Sequence, residues 1–512
     1  MVDVVFMFEL HQPYRLRKDL LKHMLLNGIK RGLTFSEMFD LIFDNEVNKE
    51  VFVRVAERCY VKATKILLES VKSVRKSGKD FKFSMSLSGV LIEQALKWDK
   101  RVVDVINEAV LENVAELVEQ TYYHSLASLF SIDEFIEQLE LHKSLIKEVF
   151  GVEPRVAENT EFIYNNDIAC TLNRLGYDVV LTEGVERVLG WRSPNYVYSA
   201  RGCNARILMR NYRLSDDIGF RFSDRSWDQY PLTADKYASW LSKTPGDVIL
   251  IAIDYETFGE HHHPSTGILE FLKWLPIEIA RHDNINVVSP YEAACRNKPR
   301  DVIDVSFWET ISWADERDLS AWLGNDFQKK LFEYYASLEP YVKAIGGEAL
   351  KIWRTLGSSD HLYYMATKTG PAGDVHNYFS PYKDVVVAYT TYLEALAMFA
   401  TMILEKISSE PSKYAKKIVL PGKKAFQFYQ APGKPLPYRA RCITELAALV
   451  QIVPEESLVY HILRGDLARW FRENFFLENV ARELEDLGAF VKQGVVEISK
   501  LREFVLKILS KI

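Results

Sequence analysis

VILIAIDYETFGEHHH, residues 248–263, holds six consecutive apolar, mostly β-branched residues from Val248 to Ile253 and then two acids, Asp254 and Glu256. A half-exposed strand alternates apolar with polar residues, so an unbroken run of this length reads as a strand covered on both faces. Such strands belong to parallel α/β sheets, in which side chains at the carboxyl ends face the crevice where ligands bind. Asp254 and Glu256 are therefore candidates for chemistry. A helix-capping role stays open at this point.

Working outward, similar strands are expected at Val4–Leu10, Phe81–Leu87, within Leu111–Thr121, at Pro154–Ala157, at Asp178–Leu181 and at Val287-Val288. With the 248–253 run they make seven core strands separated by helical stretches, such as Asp167–Leu175 ahead of Gly176. Tyr196–Ser199 and Arg206–Met209 read as a hairpin excursion from this set. Regular alternation implies parallel strands with right-handed crossovers, closed or nearly closed into a barrel over residues 1–300. Beyond residue 300 the periodicity is helical and no strand is convincing. Residues 301–407 are expected to form an α-helical domain completing the active-site cleft. A linker follows at Ser408–Lys413 and Leu420-Pro421-Gly422, then a small helical module over 420–512.

Composition narrows the function. The chain has 512 residues, 48% of them hydrophobic and 26% charged, with a net charge of -6. That balance offers no basic field for nucleic acid. Its 10 Trp, 26 Tyr and 28 Phe suit a neutral ligand held by ring stacking, although most must be core. Five cysteines stand far apart without a C-x-x-C pair, so neither a zinc cluster nor a disulfide framework is expected. Val385–Leu404 carries one charge, Glu394, and is expected to be a buried core helix, not a membrane span. MVDVVFMFEL lacks a basic region and cleavage site, so it reads as a first strand, and a cytoplasmic location is expected.

Four strand ends converge in polar residues: His11, His124, Glu161 and Asp254. Two carboxylates on different strands, flanked by histidines, are what glycosidic cleavage requires: one attacks or stabilises the anomeric carbon and the other protonates the leaving oxygen. Here the chain resembles glycoside hydrolase family 57, and within it the archaeal α-amylase branch. The match rests on His11-Gln12-Pro13, the stretch ending at His124, Asn159-Thr160-Glu161, Asp254-Tyr255-Glu256-Thr257-Phe258-Gly259 and Trp313–Asn325. Asn211–Asp217 and Ser359–Met365 add to it.

The resemblance implies a distorted (β/α)7 TIM-like barrel and a retaining mechanism on α-1,4-glucans, with Glu161 as nucleophile and Asp254 as acid/base. Their carboxyl groups would lie about 5 to 6 Å apart. Glu158 is a rival nucleophile, set aside because Glu161 follows Thr160. Glu256 would hold a sugar hydroxyl, and His11 and His124 would line the point of cleavage. Gln12 and Asp315 would join the substrate-binding set, and Trp308, Trp313 and Trp322 are its candidate stacking rings. An α-glucan or maltooligosaccharide is the expected partner; no membrane partner and no cofactor are expected.

Alternatives remain. A 4-α-glucanotransferase or branching enzyme would use the same residues. A metal-dependent, deacetylase-like barrel is suggested by His261-His262-His263, but His11-Gln12 stands where a His-x-Asp ligand pair would need an acid, and no H-E-x-x-H occurs. The expectation is no metal, with the three histidines capping the loop or touching substrate. A non-catalytic glucan-binding protein is the third reading. The residues alone leave hydrolysis, transfer and oligomeric state open.

Overall fold

A computed structural model describes residues 1–27, 32–368, 375–376 and 378–512. Ten strands form one sheet: β1 (Val2–Leu10), β2 (Phe83–Leu87), β3 (Ala115–Val118), β4 (Val156–Glu158), β5 (Val179–Glu183), β6 (Val197–Ala200), β7 (Arg206–Arg210), β8 (Val248–Asp254), β9 (Ile285–Val287) and β10 (Val302–Ile303). Seven of them close a ring. β1 pairs parallel with β2 and β8, β2 with β3, β4 with β5, β5 with β7, and β7 with β8. The ring shuts between β3 and β4, where Glu119 N–H donates to Val156 O and Glu158 N–H to Glu119 O, both at 2.9 Å.

The number of staves matches the sequence reading but one member differs. β7 was expected in an excursion; it is a stave, hydrogen-bonded in parallel on both sides, and only its antiparallel neighbour β6 lies outside the ring. β9, expected as a stave, pairs with Val2–Val4 of β1 and adds a single bridge from Val287 to Phe81, below the ring. The reason is local: RILMR at 206–210 is short and flanked by arginines, so it lacks the apolar run that marks a fully covered strand.

Strand parity sorts the core into two faces. Val4, Phe6 and Phe8 of β1 and Ile249, Ile251 and Ile253 of β8 pack outward with the helices. Val5 and Met7, Val156, Val179 and Leu181, Leu208, and Val248, Leu250 and Ala252 form a separate inner cluster. The same alternation puts Glu9, Glu158, Glu183, Arg210 and Asp254 on the inner face at the carboxyl ends of their strands. Register agrees: Glu9 lies opposite Ser86 and Asp254, and Glu183 opposite Arg210.

The chain divides into two compact units, and the division departs from the expected boundaries at 300 and 407. One comprises Met1–Asp19, Asp40–Lys330 and Arg354–Thr391; the other comprises Leu20–Phe39, Leu331–Trp353 and Tyr392–Ile512. The first keeps segments beyond residue 300 because they pair with barrel loops: Tyr164 and Ile311 exchange backbone hydrogen bonds, and Ser359 N–H donates to His124 O at 2.9 Å.

The second unit is helical with one hairpin, β11 (Phe426–Ala431) and β12 (Lys434–Ala440), which the sequence reading missed. β12 contains Pro435 and Pro437, and prolines in a run argue against a strand; here they sit in a two-stranded ribbon that needs few ladder bonds. Its core includes Tyr335 stacked on Trp353 at 4.8 Å and the rings of Phe426, Phe428 and Trp470. The apolar helix Val385–Ser409 is by length and composition able to cross a membrane. One face of it, Ala388, Tyr392, Ala395, Phe399, Ile403 and Ile407, is buried at helical spacing.

Cys170 and Cys203 form a disulfide, against expectation. They lie on the helix Asn166–Arg174 and in the turn between β6 and β7, and only the folding of that turn onto the helix makes them neighbours.

Candidate active site

Over the carboxyl ends of the staves lies a cavity of about 690 Å³, lined by His11, Gln12, His124, Glu161, Asp254, Glu256, Trp313, Asp315 and Trp322 among the expected residues, and by Glu9, Arg210 and Asp360 besides. Two strand ends and two strained loops build it. Asp254 is the last residue of β8. Glu161 follows β4 with φ 62°, and His124 follows β3 with φ 50°, both in the left-handed region. Non-glycine residues held there cost on the order of 1–3 kcal/mol each and collect at functional sites.

That strain aims Glu161 at a set of donors. Its Oε2 accepts from the Trp313 indole N–H at 2.7 Å and its Oε1 from the Ser359 hydroxyl at 2.9 Å. The Trp313 backbone N–H in turn holds the Glu161 carbonyl at 3.1 Å. Hydrogen bonds to the charged form favour ionisation. His124 Nε2 stands 3.4 Å from Glu161 Oε1. The other ring nitrogen, Nδ1, is 3.0 Å from Gln120 Oε1, an oxygen identified by its amide partner donating to Ser86. Burial alone would lower the pKa of this ring, but Glu161, Asp360 and Glu158 outweigh it and raise it.

Asp254 has the opposite surroundings. Burial and the neighbouring Glu161 push its pKa up to about 7, against a partial opposing pull from Arg210 and His124. Glu256, buried, accepts from the Tyr60 hydroxyl and, at 3.4 Å, from the His11 backbone N–H. Burial and Asp254 raise it to about 8. His11 stacks on His124 at 3.9 Å. Its Nδ1 faces Ser88 Oγ at 2.7 Å and its Nε2–H donates to Asp360 at 2.9 Å. Because Ser88 Oγ already accepts from Leu91 N–H, its hydroxyl is free to donate to the imidazole, which is thereby neutral. Burial, and His124 beside it, push His11 down to about 4. Burial would raise Asp360, but His11, His124 and Ser358 hold it well below the carboxylate range.

Gln12 is buried and anchored, its Oε1 accepting from Arg15 at 3.0 Å. Asp315 is raised by burial and by Glu316. The three candidate stacking rings separate. Trp313 faces the cavity; Trp322 is in its wall but 0% exposed, tilted against Tyr363, so it supports and cannot stack. Trp308 is 91% exposed on the turn Phe307–Glu309 and is not part of the cavity. Its neighbours in sequence did not reveal this, since a tryptophan five residues before Trp313 reads equally well as either. Glu158 is fully buried and does not reach the cavity, whereas Glu161 does.

The three histidines after the acids serve different partners. His262 contacts Ser223 and donates from Nε2 to Ile218 O and Gly219 O at 3.1 Å, capping the helix Tyr212–Gly219. His263 caps its own turn, accepting from Ser265 N–H. His261 lies 5.1 Å from the Phe379 ring in the cavity wall. Among the described residues no cluster of three or more histidine, cysteine or acidic side chains has the geometry of a metal site.

Sequence reasoning passed over Glu9, Tyr60, Arg210 and the roles of Ser359 and Asp360. Glu9 and Arg210 carry a signal in hindsight: each is a charge on the inner parity of an apolar strand. Tyr60 carries none, because it lies on a helix and reaches the site only through the fold.

The model of "Glycosyl hydrolase family 57" matches residues 5–306. A Methanocaldococcus jannaschii protein described as "Putative alpha-amylase" is 46% identical over 416 residues, covering 79% of this chain and 85% of that one. Two solved structures, branching enzymes from Thermococcus kodakaraensis and Pyrococcus horikoshii, share the fold with TM-scores of 0.52 and 0.51 at 13% and 14% identity. They are matched over 81% and 79% of this chain, and over 95% of each of theirs. With a seven-stave barrel, a pair of acids over one cavity and a family match across more than half its length, the chain belongs to glycosyl hydrolase family 57.

Proposed function

We propose that the protein cleaves α-1,4-glucans with retention of anomeric configuration, Glu161 attacking and Asp254 acting as general acid and then base. The observation that carries this is the unequal treatment of two acids on one cavity: Glu161 accepts hydrogen bonds from Trp313 and Ser359 and lies beside His124, while Asp254 is raised to about 7. A general acid must still hold its proton near neutrality, and a carboxylate fixed by donors is placed to attack. In the first step Glu161 Oε bonds to the anomeric carbon as the glycosidic bond breaks, and Asp254 gives its proton to the departing oxygen. In the second, Asp254 takes a proton from water, and the water oxygen displaces Glu161.

The substrate class draws on the naming of the relative as well as on this geometry. Glu256, raised to about 8, would donate or accept at a sugar hydroxyl, and Trp313 offers a ring beside the nucleophile. The test is turnover of maltooligosaccharides followed by proton NMR. An α-anomer as first product with Glu161→Gln reducing turnover by about a thousandfold or more supports the reading; a β-anomer, or undiminished turnover, overturns it. Products longer than the substrate would assign glucan transfer through the same intermediate in place of hydrolysis.

A further inference from the structure

Two of the ten tryptophans stand almost entirely in solvent: Trp191 is 93% and Trp308 91% exposed. Single exposed apolar residues need no explanation, but indoles are costly to leave in water, and these two sit on segments bound to one another. Arg187 Nη2 donates to Glu309 O at 3.0 Å, and Arg192 Nη1 to Val302 O at 2.7 Å and Asp301 at 3.0 Å. Trp191 thus follows the loop that leaves the carboxyl end of β5, and Trp308 lies in the 301–309 strip that this loop grips. Phe307, half exposed, meets Trp308 edge to face at 5.3 Å.

The strip leads to Glu161, the proposed nucleophile. From Trp308 it passes Ile311, paired with Tyr164, to Trp313, whose indole holds Glu161. Trp313 lies five positions after Trp308, a span of at most about 18 Å even when extended. A polymeric substrate that leaves the cavity on that side meets two exposed indoles on segments tied together by Arg187 and Arg192. Flat exposed indoles suit pyranose faces.

We propose that Trp191 and Trp308 form an outlying binding platform for a glucan chain, separate from the cavity, that retains long substrates. It rests on the glucan-cleaving reading above and adds a prediction that reading does not make: dependence on chain length.

The experiment uses the full chain. Retention on glycogen is measured by affinity electrophoresis in a Glu161→Gln background, which prevents degradation. KM for soluble starch and kcat/KM for maltotetraose are measured in the otherwise unaltered protein. Trp191→Ala with Trp308→Ala is expected to weaken glycogen retention and raise KM for starch by about tenfold, with maltotetraose turnover within about twofold. Trp274→Ala, a partly exposed indole on the helix Ile268–Ala280, should change neither. Unchanged glycogen retention would overturn the platform, as would an equal loss on maltotetraose, or a shift from dimer to monomer in gel filtration without loss of glycogen binding, which would assign the rings to a second copy. Maltotetraose turnover by the unaltered protein separates the two ideas: if it occurs and only the platform variants behave otherwise than stated, the platform alone falls; if it is absent, the glucan-cleaving reading falls and the platform with it.

Discussion

Two groups of buried charges sit side by side on the inner face of this barrel and follow opposite rules. Across β5 and β7, Arg210 bonds Glu183 at 2.9 Å and Asp216 at 2.6 Å, and Arg317 bonds Glu183 at 2.8 Å. Two cations face two anions, and Arg210 Nε–H donates to Ala252 O at 2.7 Å. Across β1, β4 and β8 stand Glu9, Glu158, Asp254 and, just beyond the strand, Glu256; among the described residues none of these makes an ion pair with arginine or lysine. All four are raised, chiefly by burial, with their carboxyl neighbours adding to the shift for each. Buried charges are normally paired because desolvation is expensive. Where a fold leaves acids unpaired and open to a cavity, the cost is sustained by function. The paired group is scaffold; of the unpaired group, Glu9, Asp254 and Glu256 line the cavity and Glu158 does not reach it.

The sharpest way to break this contrast is to remove charge from each side in turn. Asp254→Asn should lower turnover by about a thousandfold, since loss of a general acid typically costs 10²- to 10⁴-fold, with little change in unfolding free energy. Steady-state kinetics beside chemical denaturation checks both halves. With the proton required on Asp254, wild-type activity should fall as pH rises through about 7. Arg210→Met should do the reverse. Stability should drop by about 3 kcal/mol or more, because Glu183 and Asp216 are left with one cation between them. The residual activity should keep its alkaline limb at higher pH, since Arg210 is one of the groups holding Asp254 down. A stable Arg210→Met protein would show that the cluster is not scaffold.

This contrast also marks what could be read before the fold was known. The buried run at 248–253 and its acids were legible because full burial leaves an uninterrupted apolar pattern. His11, His124 and Glu161 were legible through the resemblance, in His11-Gln12-Pro13, the stretch ending at His124 and Asn159-Thr160-Glu161, since β3 and β4 are short and stop before His124 and Glu161. β7 was not: its apolar core is three residues, and only pairing on both edges identifies it as a stave. Its charged end, Arg210, was lost with it, and with Arg210 the whole paired cluster, whose members come from β5, β7, the helix Tyr212–Gly219 and the loop at 317. Such clusters are invisible to spacing because the partners meet only in three dimensions. Trp308 and Trp322 could not be told apart from Trp313 for a related reason, as exposure is a property of the fold and not of the neighbouring sequence.

A smaller effect tests what the indole donor contributes to Glu161. Trp313→Phe keeps a ring against Phe162, 5.0 Å away, but removes the indole N–H from Glu161. A hydrogen bond to a charged group contributes about 1.5–3 kcal/mol, so kcat should fall by roughly ten- to a hundredfold with thermal stability nearly unchanged. If KM alone rose, Trp313 would be a stacking ring and nothing more.

The smallest expected effect is a slope. Glu158 is raised from 4.5 to about 8, mainly by burial, with Glu161 and Asp254 adding to it. Between those two pH values the folded protein keeps a proton that the unfolded chain has released, so stability present at low pH is lost as pH rises through about 8, at no more than about 1.4 kcal/mol per pH unit. Glu158→Gln imitates the protonated acid, so it should match the wild type near pH 5 and fall away less steeply above it, as read by denaturation at pH 5, 6, 7 and 8. Glu183→Gln, on the paired side, should instead be less stable at every one of those values, because Arg210 and Arg317 lose their partner whether or not a proton is available. Parallel pH profiles for the two variants would mean that both clusters answer to the same rule, and the division between scaffold and chemistry would have to be drawn elsewhere.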